Sequence, residues 1–160
     1  EISSNLRKMP LQKFHPKKNI KYFINKYINN PFYKYQLFKI FENNKLKLIF
    51  VFRIIKIKKI SFVRIVDAFG DLKLKNNISS LFIDFIVKNH HEFIDLYIYS
   101  NKVLNIEKLG FNKKKNEFIP YYSEPYNNKV TDLHICILKS DKNENVFFKG
   151  DGDAERPYRI

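Results

Sequence analysis

Carboxylates set beside tyrosines are the residues of this chain best suited to chemistry. Glu124 stands among Tyr121, Tyr122 and Tyr126 in the run YYSEPY. Burial among aromatic rings would raise a carboxyl towards the range of a general base, and aromatic faces suit sugar or amine recognition. Glu124 is therefore a candidate catalytic base, with Tyr122 and Tyr126 as substrate contacts; an aromatic loop packed on a sheet is the plain alternative. Asp95 interrupts the apolar run FIDLYIYS, 93–100. Strand alternation puts Asp95, Tyr97 and Tyr99 on one face and Ile94, Leu96 and Ile98 on the other. That polar face would either line a cleft, with Asp95 as base and Tyr97 or Tyr99 as acid, or simply meet water. Asp151-Gly152-Asp153, next to Glu155-Arg156, is the densest polar cluster. Asp151, Asp153 and Arg156 are candidate substrate contacts, since paired carboxylates take hard cations and an arginine takes an anion. A solvated turn explains the same residues, and the full EF-hand spacing is absent.

A second constellation lies at a strand-to-helix junction. The strand ISFVRIVDAF, 60–69, runs into Gly70-Asp71-Leu72-Lys73-Leu74-Lys75-Asn76, and a helix begins near Asn77. In α/β proteins that bind nucleotides or coenzymes, backbone amides at such a junction hold phosphate. Arg64, Val66, Asp67, Gly70 and Asn77 are the candidate cofactor contacts. A loop with one glycine and with Asp67 and Asp71 would, however, lose amide donors and repel phosphate.

The elements that must position these residues can be read from periodicity. Residues 1–16, with Pro10 and Pro16, read as an irregular tail, 17–150 as one α/β domain and 151–160 as a C-terminal tail. Ile20, Phe23, Ile24, Tyr27 and Ile28 share one helical face, and Asn29-Asn30-Pro31 stops that helix. FYKYQLFKIF, 32–41, and LKLIFVFRII, 46–55, form a hairpin about Glu42-Asn43-Asn44-Lys45. The continuous apolar character of 60–69 predicts a central strand buried on both sides. A helix over about 77–89 buries Ile78, Leu81, Phe82, Phe85 and Ile86, with Asn76 or Asn77 as its N-cap. His90 and His91 at its end favour the macrodipole. FIDLYIYS is a strand, Asn101 caps a short helix KVLNIEKL closed by Gly110, and 131–139 and 146–149 are strands.

Composition bounds the rest. The chain has 160 residues, 44% hydrophobic, enough to bury a core. The longest apolar run, LIFVFRII, is too short to span a bilayer, and the N-terminus has no apolar signal-peptide core. No initiator Met is present, so a piece of a longer protein is expected. The net charge of +14 fits a surface for nucleic acid, an anionic membrane or a sugar nucleotide. Codon bias explains it too: Lys, Ile and Asn make up 64 of the 160 residues, and only 5 of the 30 basic residues are Arg, the residue nucleic-acid sites favour. One cysteine, Cys136, allows no internal disulfide, and a packed thiol fits a cytoplasmic setting. The four His carry no zinc spacing, so no metal is expected.

Three segments together resemble the GNAT superfamily of N-acetyltransferases over about residues 20–150. NKYINNPFYKYQLFKI, 25–40, is similar to a hairpin entry seen in some of its relatives. VRIVDAFGD, 63–71, followed by an amphipathic helix, sits where the superfamily has its central strand and acetyl-coenzyme A helix. FIDLYIYSNKVLNIEKLGF, 93–111, resembles the strand and helix that end in a Gly-Phe, here Gly110-Phe111. The tail FKGDGDAERP, 148–157, resembles endings of GNAT-like proteins from bacterial surface-polysaccharide gene clusters. The resemblance implies an α/β fold with a mixed, mostly antiparallel, splayed sheet flanked by helices. It also implies an acyltransferase-like domain that, if active, uses acetyl-CoA or another acyl-CoA on an amino sugar or sugar nucleotide. Its phosphate loop has the pattern Q/R-x-x-G-x-G/A. Arg64 matches the leading position, but Asp67 and Ala68 stand where the glycine and its neighbour belong, and Gly70 is out of register. A degenerate coenzyme loop makes two other readings tenable: a non-catalytic binding or scaffold lobe beside a second GNAT-like lobe, and a basic nucleic-acid-binding domain.

Overall fold

The computed structural model describes residues 12, 14–57, 59–73, 77–101, 104, 106–113 and 144–151. The first helix, α1 (Ile20–Phe23), is capped by Asn19, whose side chain accepts a hydrogen bond from the Tyr22 amide (2.8 Å). It widens into a π-helical turn, Ile24–Ile28, closed by the Asn29 amide bonding to the Ile24 carbonyl (2.9 Å). The chain then leaves the helix through Asn30-Pro31. The Asn30 side chain accepts from the Phe32 and Tyr33 amides (2.9 and 2.8 Å), which holds these residues in a turn. For this reason residues 32–35, expected to open a strand, precede it.

Three strands form a meander: β1 (Gln36–Glu42), β2 (Lys45–Ile57) and β3 (Ile60–Gly70). Asn43 and Asn44 adopt φ of 51° and 59°, the left-handed pair that a two-residue turn needs to match the twist of its strands. Asparagine enters that region more readily than most residues. The crossover helix α2 (Ser79–Asn89) then delivers β4 (Ile94–Leu96) parallel to β3, paired through Val63–Ile65 only. The main sheet is thus mixed and mostly antiparallel, in the order β1-β2-β3-β4. The α/β class read from the sequence holds for the described residues.

FIDLYIYS is not one strand. It breaks at Tyr97, and β5 (Ile98–Ser100) pairs antiparallel with β6 (Val146–Phe148) in a separate two-stranded sheet. The Asn101 side chain, expected as a helix cap, accepts from the Asn145 amide (2.8 Å) and fastens this second sheet. Of the expected helix KVLNIEKL, the described residues are Leu104, outside any helix, and a single 3₁₀ turn, Ile106–Leu109. The N-cap position of α2 is Ile78, while Asn77 accepts from the Ser79 amide (2.8 Å) just outside it.

The two faces of the sheet carry separate cores. Leu48, Phe50 and Phe52 of β2 face α2, where Phe38 stacks on Phe52 (4.1 Å) and meets Phe82 and Phe85 edge-on. Ile49 and Val51 face α1, with Phe23, Tyr27, Val66 and Phe69. Strand β3 is buried from Phe62 to Gly70, as its apolar run predicts for a central strand.

Two junctions lock α2. Gly110 has φ of 91°, and a Cβ there would stand 2.4 Å from Ser79 Cβ. His90 ends the helix in the left-handed region, and His91 turns back to meet Ser61 Oγ through Nδ1 (2.8 Å). His91 Nε2 is shielded from water with no hydrogen-bond partner among the described residues. Burial lowers its pKa, helped by Lys56 and His90, so His91 favours the neutral ring rather than the macrodipole-stabilised cation expected from sequence.

Two outcomes are expected. Gly110→Ala combines backbone strain with a clash and lowers unfolding stability by at least about 2 kcal/mol, read from denaturant midpoints at constant slope. A histidine whose folded pKa is depressed contributes stability above its unfolded value and loses it as pH falls. The wild-type chain should therefore lose stability relative to His91→Gln as pH drops below 6.5, with the difference read from paired melts.

Candidate functional site

The bulge in β3 decides which side chains meet. Val51 pairs with Asp67 and Phe52 with Ile65, leaving Val66 as an extra residue. Val63 and Ile65 face α2, yet beyond the bulge it is Ala68 that faces α2, while Val66 and Phe69 face α1. Asp67, which simple alternation would place with Ile65, is turned towards α1.

There it is enclosed. The Asp67 carboxylate, 2% exposed, accepts from Lys18 Nζ, from the Tyr27 hydroxyl (2.5 Å) and from the Ala68 amide (2.8 Å). Lys18, also buried, donates to the Asp151 carboxylate as well (2.8 Å), and Asp151 accepts from the Phe148 amide (2.8 Å). Lys26 donates to the Gly150 carbonyl and to the Tyr22 hydroxyl (2.8 Å). Gly150 lies directly against β3: a Cβ there would stand 2.7 Å from the Val66 carbonyl oxygen and 2.5 Å from the Tyr27 hydroxyl. Burial raises the Asp67 carboxyl above its ordinary value, opposed first by the Lys18 ammonium. Burial also pushes the Tyr27 hydroxyl up, reinforced by the Asp67 charge, so it remains a donor.

A second group sits on the other side of the bulge. Arg64, 1% exposed, grips Asp95 across the parallel β3/β4 pair with Nε (3.0 and 3.1 Å) and Nη2 (2.5 Å). Its guanidinium lies over the Phe62 ring (5.2 Å) and over the Tyr97 ring (5.1 Å). Tyr97 also lies beneath Lys149 Nζ (5.3 Å). This geometry suits a planar, bidentate ion pair.

The structure therefore gathers Arg64, Asp95 and Tyr97 in one group and Val66, Asp67 and Asp151 in another. Gly70 stands apart at the end of β3, opposite Leu48, and Asn77 stands at the entry to α2. Tyr99 is separated from Asp95 and Tyr97 by the strand break and packs on Phe147 (6.5 Å). Glu124, Tyr122, Tyr126, Asp153, Arg156 and Cys136 lie outside the described residues. Nothing in the sequence marks Lys18, Lys26, Tyr22 and Tyr27 as members. Lys18 sits in the polar stretch Lys17-Lys18-Asn19 at the start of the domain, and the Tyr27 hydroxyl is masked by the apolar periodicity of its helix.

Chemically, both groups are already satisfied. A general base needs a lone pair within reach of substrate. Asp67 has three donors, and Asp95 is held by an arginine. Among the described residues no cluster of three His, Cys, Asp or Glu is arranged to hold a metal. No protein-family model matches the chain, nor does any curated protein or solved structure.

Removing one member of a buried ion pair strands the other, at a cost of about 3–5 kcal/mol. Lys18→Met strands two carboxylates, so it should destabilise more than Asp67→Asn. The double substitution Lys18→Met/Asp67→Asn should cost clearly less than the sum of the two, as measured in a double-mutant cycle by denaturant unfolding.

Proposed function

We propose that this is a GNAT-like domain in which the coenzyme position has become a structural ion-pair network, so that it works as a non-catalytic binding lobe. The observation that carries the reading is the enclosure of Asp67. The resemblance puts the coenzyme loop at the end of the central strand, and here that strand presents a buried carboxylate held by Lys18 and Tyr27. The segment Phe148–Asp151 lies against the same stretch of backbone, where Gly150 meets the Val66 carbonyl. A pyrophosphate there would have to displace this segment and sit beside two carboxylates that share one ammonium. The brief parallel pairing of β3 with β4 and the bulge at Val66 support the architectural half of the reading.

A binding role draws support from the outer face of α2. Ile83 and Val87, one turn apart, are more than half exposed; Leu81, expected on the buried face, is exposed as well but on another side of the helix. Apolar side chains held in water on a rigid helix suit a partner domain.

Titration calorimetry with acetyl-CoA tests the reading. No saturable heat is expected at millimolar coenzyme, and tight one-to-one binding would overturn it. The variant Ile83→Glu/Val87→Glu should retain wild-type stability within about 0.5 kcal/mol, because both side chains already face water.

A further inference from the structure

We propose that the cleft beside the Asn30 turn binds a nucleotide-type ligand, with its planar base on the aromatic rings and its phosphate at Lys34. The cleft shares only Tyr27 with the Asp67 network, opens to solvent and encloses about 430 Å³. That volume is within the range of small-molecule sites. The segment 27–35 builds it, and the turn is preorganised. Asn30 Oδ1 holds the Phe32 and Tyr33 amides, and Asn30 Nδ2 donates to the Lys26 carbonyl (3.0 Å). A turn fixed in this way carries little ordering cost on binding.

The rigid turn displays an aromatic platform. Phe32 is 70% exposed, a large apolar ring held in water by a turn that nothing in the core requires to point outward. Tyr33 and Tyr35 line the same cleft, edge-to-face at 6.1 Å, and Tyr35 is braced in turn by Tyr27 (5.0 Å). The Arg53 guanidinium lies 4.5 Å over the Tyr33 ring, which orients that ring and adds positive potential.

The polar character of the lining selects the ligand. Its one amide side chain, Asn30, is spent within its own turn, so the paired donors and acceptors that sugar hydroxyls need are missing. Among the described residues no carboxylate lines the cleft. Beside Asn30 its polar side chains are the Tyr33 and Tyr35 hydroxyls, the Lys34 ammonium and the Tyr27 hydroxyl, which is given to Asp67. The cation with the Tyr33 and Tyr35 hydroxyl donors matches an anion. A net charge of +14 draws anions towards it. Exposed aromatic rings beside cations are the combination that holds nucleotide bases and their phosphates. The source is a free nucleotide or one nucleotide of a single strand. The inference does not rest on the GNAT-like reading.

The test measures binding of adenosine monophosphate, adenosine, inorganic phosphate and a single-stranded oligothymidylate of about eight nucleotides. The expected result is saturable binding of the monophosphate or the oligonucleotide, with adenosine and phosphate each weaker. Phe32→Ala and Lys34→Ala should each weaken it about tenfold, while circular dichroism shows an unchanged fold. Equal affinity per site for monophosphate and oligonucleotide identifies a free nucleotide as ligand; a much tighter oligonucleotide with a steep salt dependence identifies a single strand. Either result supports the site. Undetectable binding of both, binding indifferent to Phe32→Ala, or inorganic phosphate binding as well as the nucleotide would each overturn it.

Discussion

A single ammonium, on Lys18 near the start of the described chain, holds one carboxylate from its middle and one from its end. Asp67 is 49 residues away and Asp151 is 133. Buried charges of this kind are tolerated only when paired and hydrogen-bonded. None of the three elements involved can therefore take its place alone: the segment leading into α1, the central strand and the segment after β6 must arrive together. One cation for two anions leaves a deficit. Neutral donors cover it, namely the Tyr27 hydroxyl and the Ala68 and Phe148 amides. Such a network specifies an arrangement more than it stabilises one, because desolvation offsets most of its attraction.

The bulge at Val66 and this network require each other. Without the extra residue, Asp67 would share the face of Ile65 and point into the phenylalanine cluster beneath α2, where the members packed on it are apolar. An unpaired carboxylate in that cluster would be far costlier than a bulge. With the extra residue, the carboxylate reaches Tyr27 and Lys18, and the vacated position on the α2 side falls to Ala68. Ala68 is small enough to lie under the aromatic layer. The same kink leaves the Val66 carbonyl facing Gly150, a close approach that only a residue without a Cβ permits.

What the sequence revealed follows from how local each cause is. The Asn43-Asn44 turn and the apolar run of β3 are written in adjacent residues, and both appear where the sequence put them. The break at Tyr97 is not local. The run 93–100 alternates as one strand should, and it divides because Val63–Ile65 offer only three residues of parallel edge while β6, some 50 residues further on, supplies another. The site shows the same contrast. Arg64 and Asp95 were each singled out, but their pairing depends on the parallel register of β3 and β4. Asp67 and Asp151 were also singled out, for separate tasks, and their link through Lys18 had no mark in a polar stretch of sequence.

The scarcity of arginine sharpens the division of labour among the cations. In a chain whose bias runs so heavily to lysine, both described arginines occupy positions where a flat, delocalised cation does what an ammonium would not. Arg64 lies over two rings while its Nε and Nη2 grip a carboxylate, and Arg53 lies over Tyr33 beside the cleft. Lysine at position 64 would keep the charge but lose the fork, and at position 53 it would lose the stacked plane that orients Tyr33. Most of the described lysines face water, where they add to a diffuse field and fix no geometry, and the buried Lys18 works as a point charge between two carboxylates. The field can gather anions, but only the planar contacts can hold one in a defined pose, and among the described residues the arginine that stands beside an open aromatic surface is Arg53.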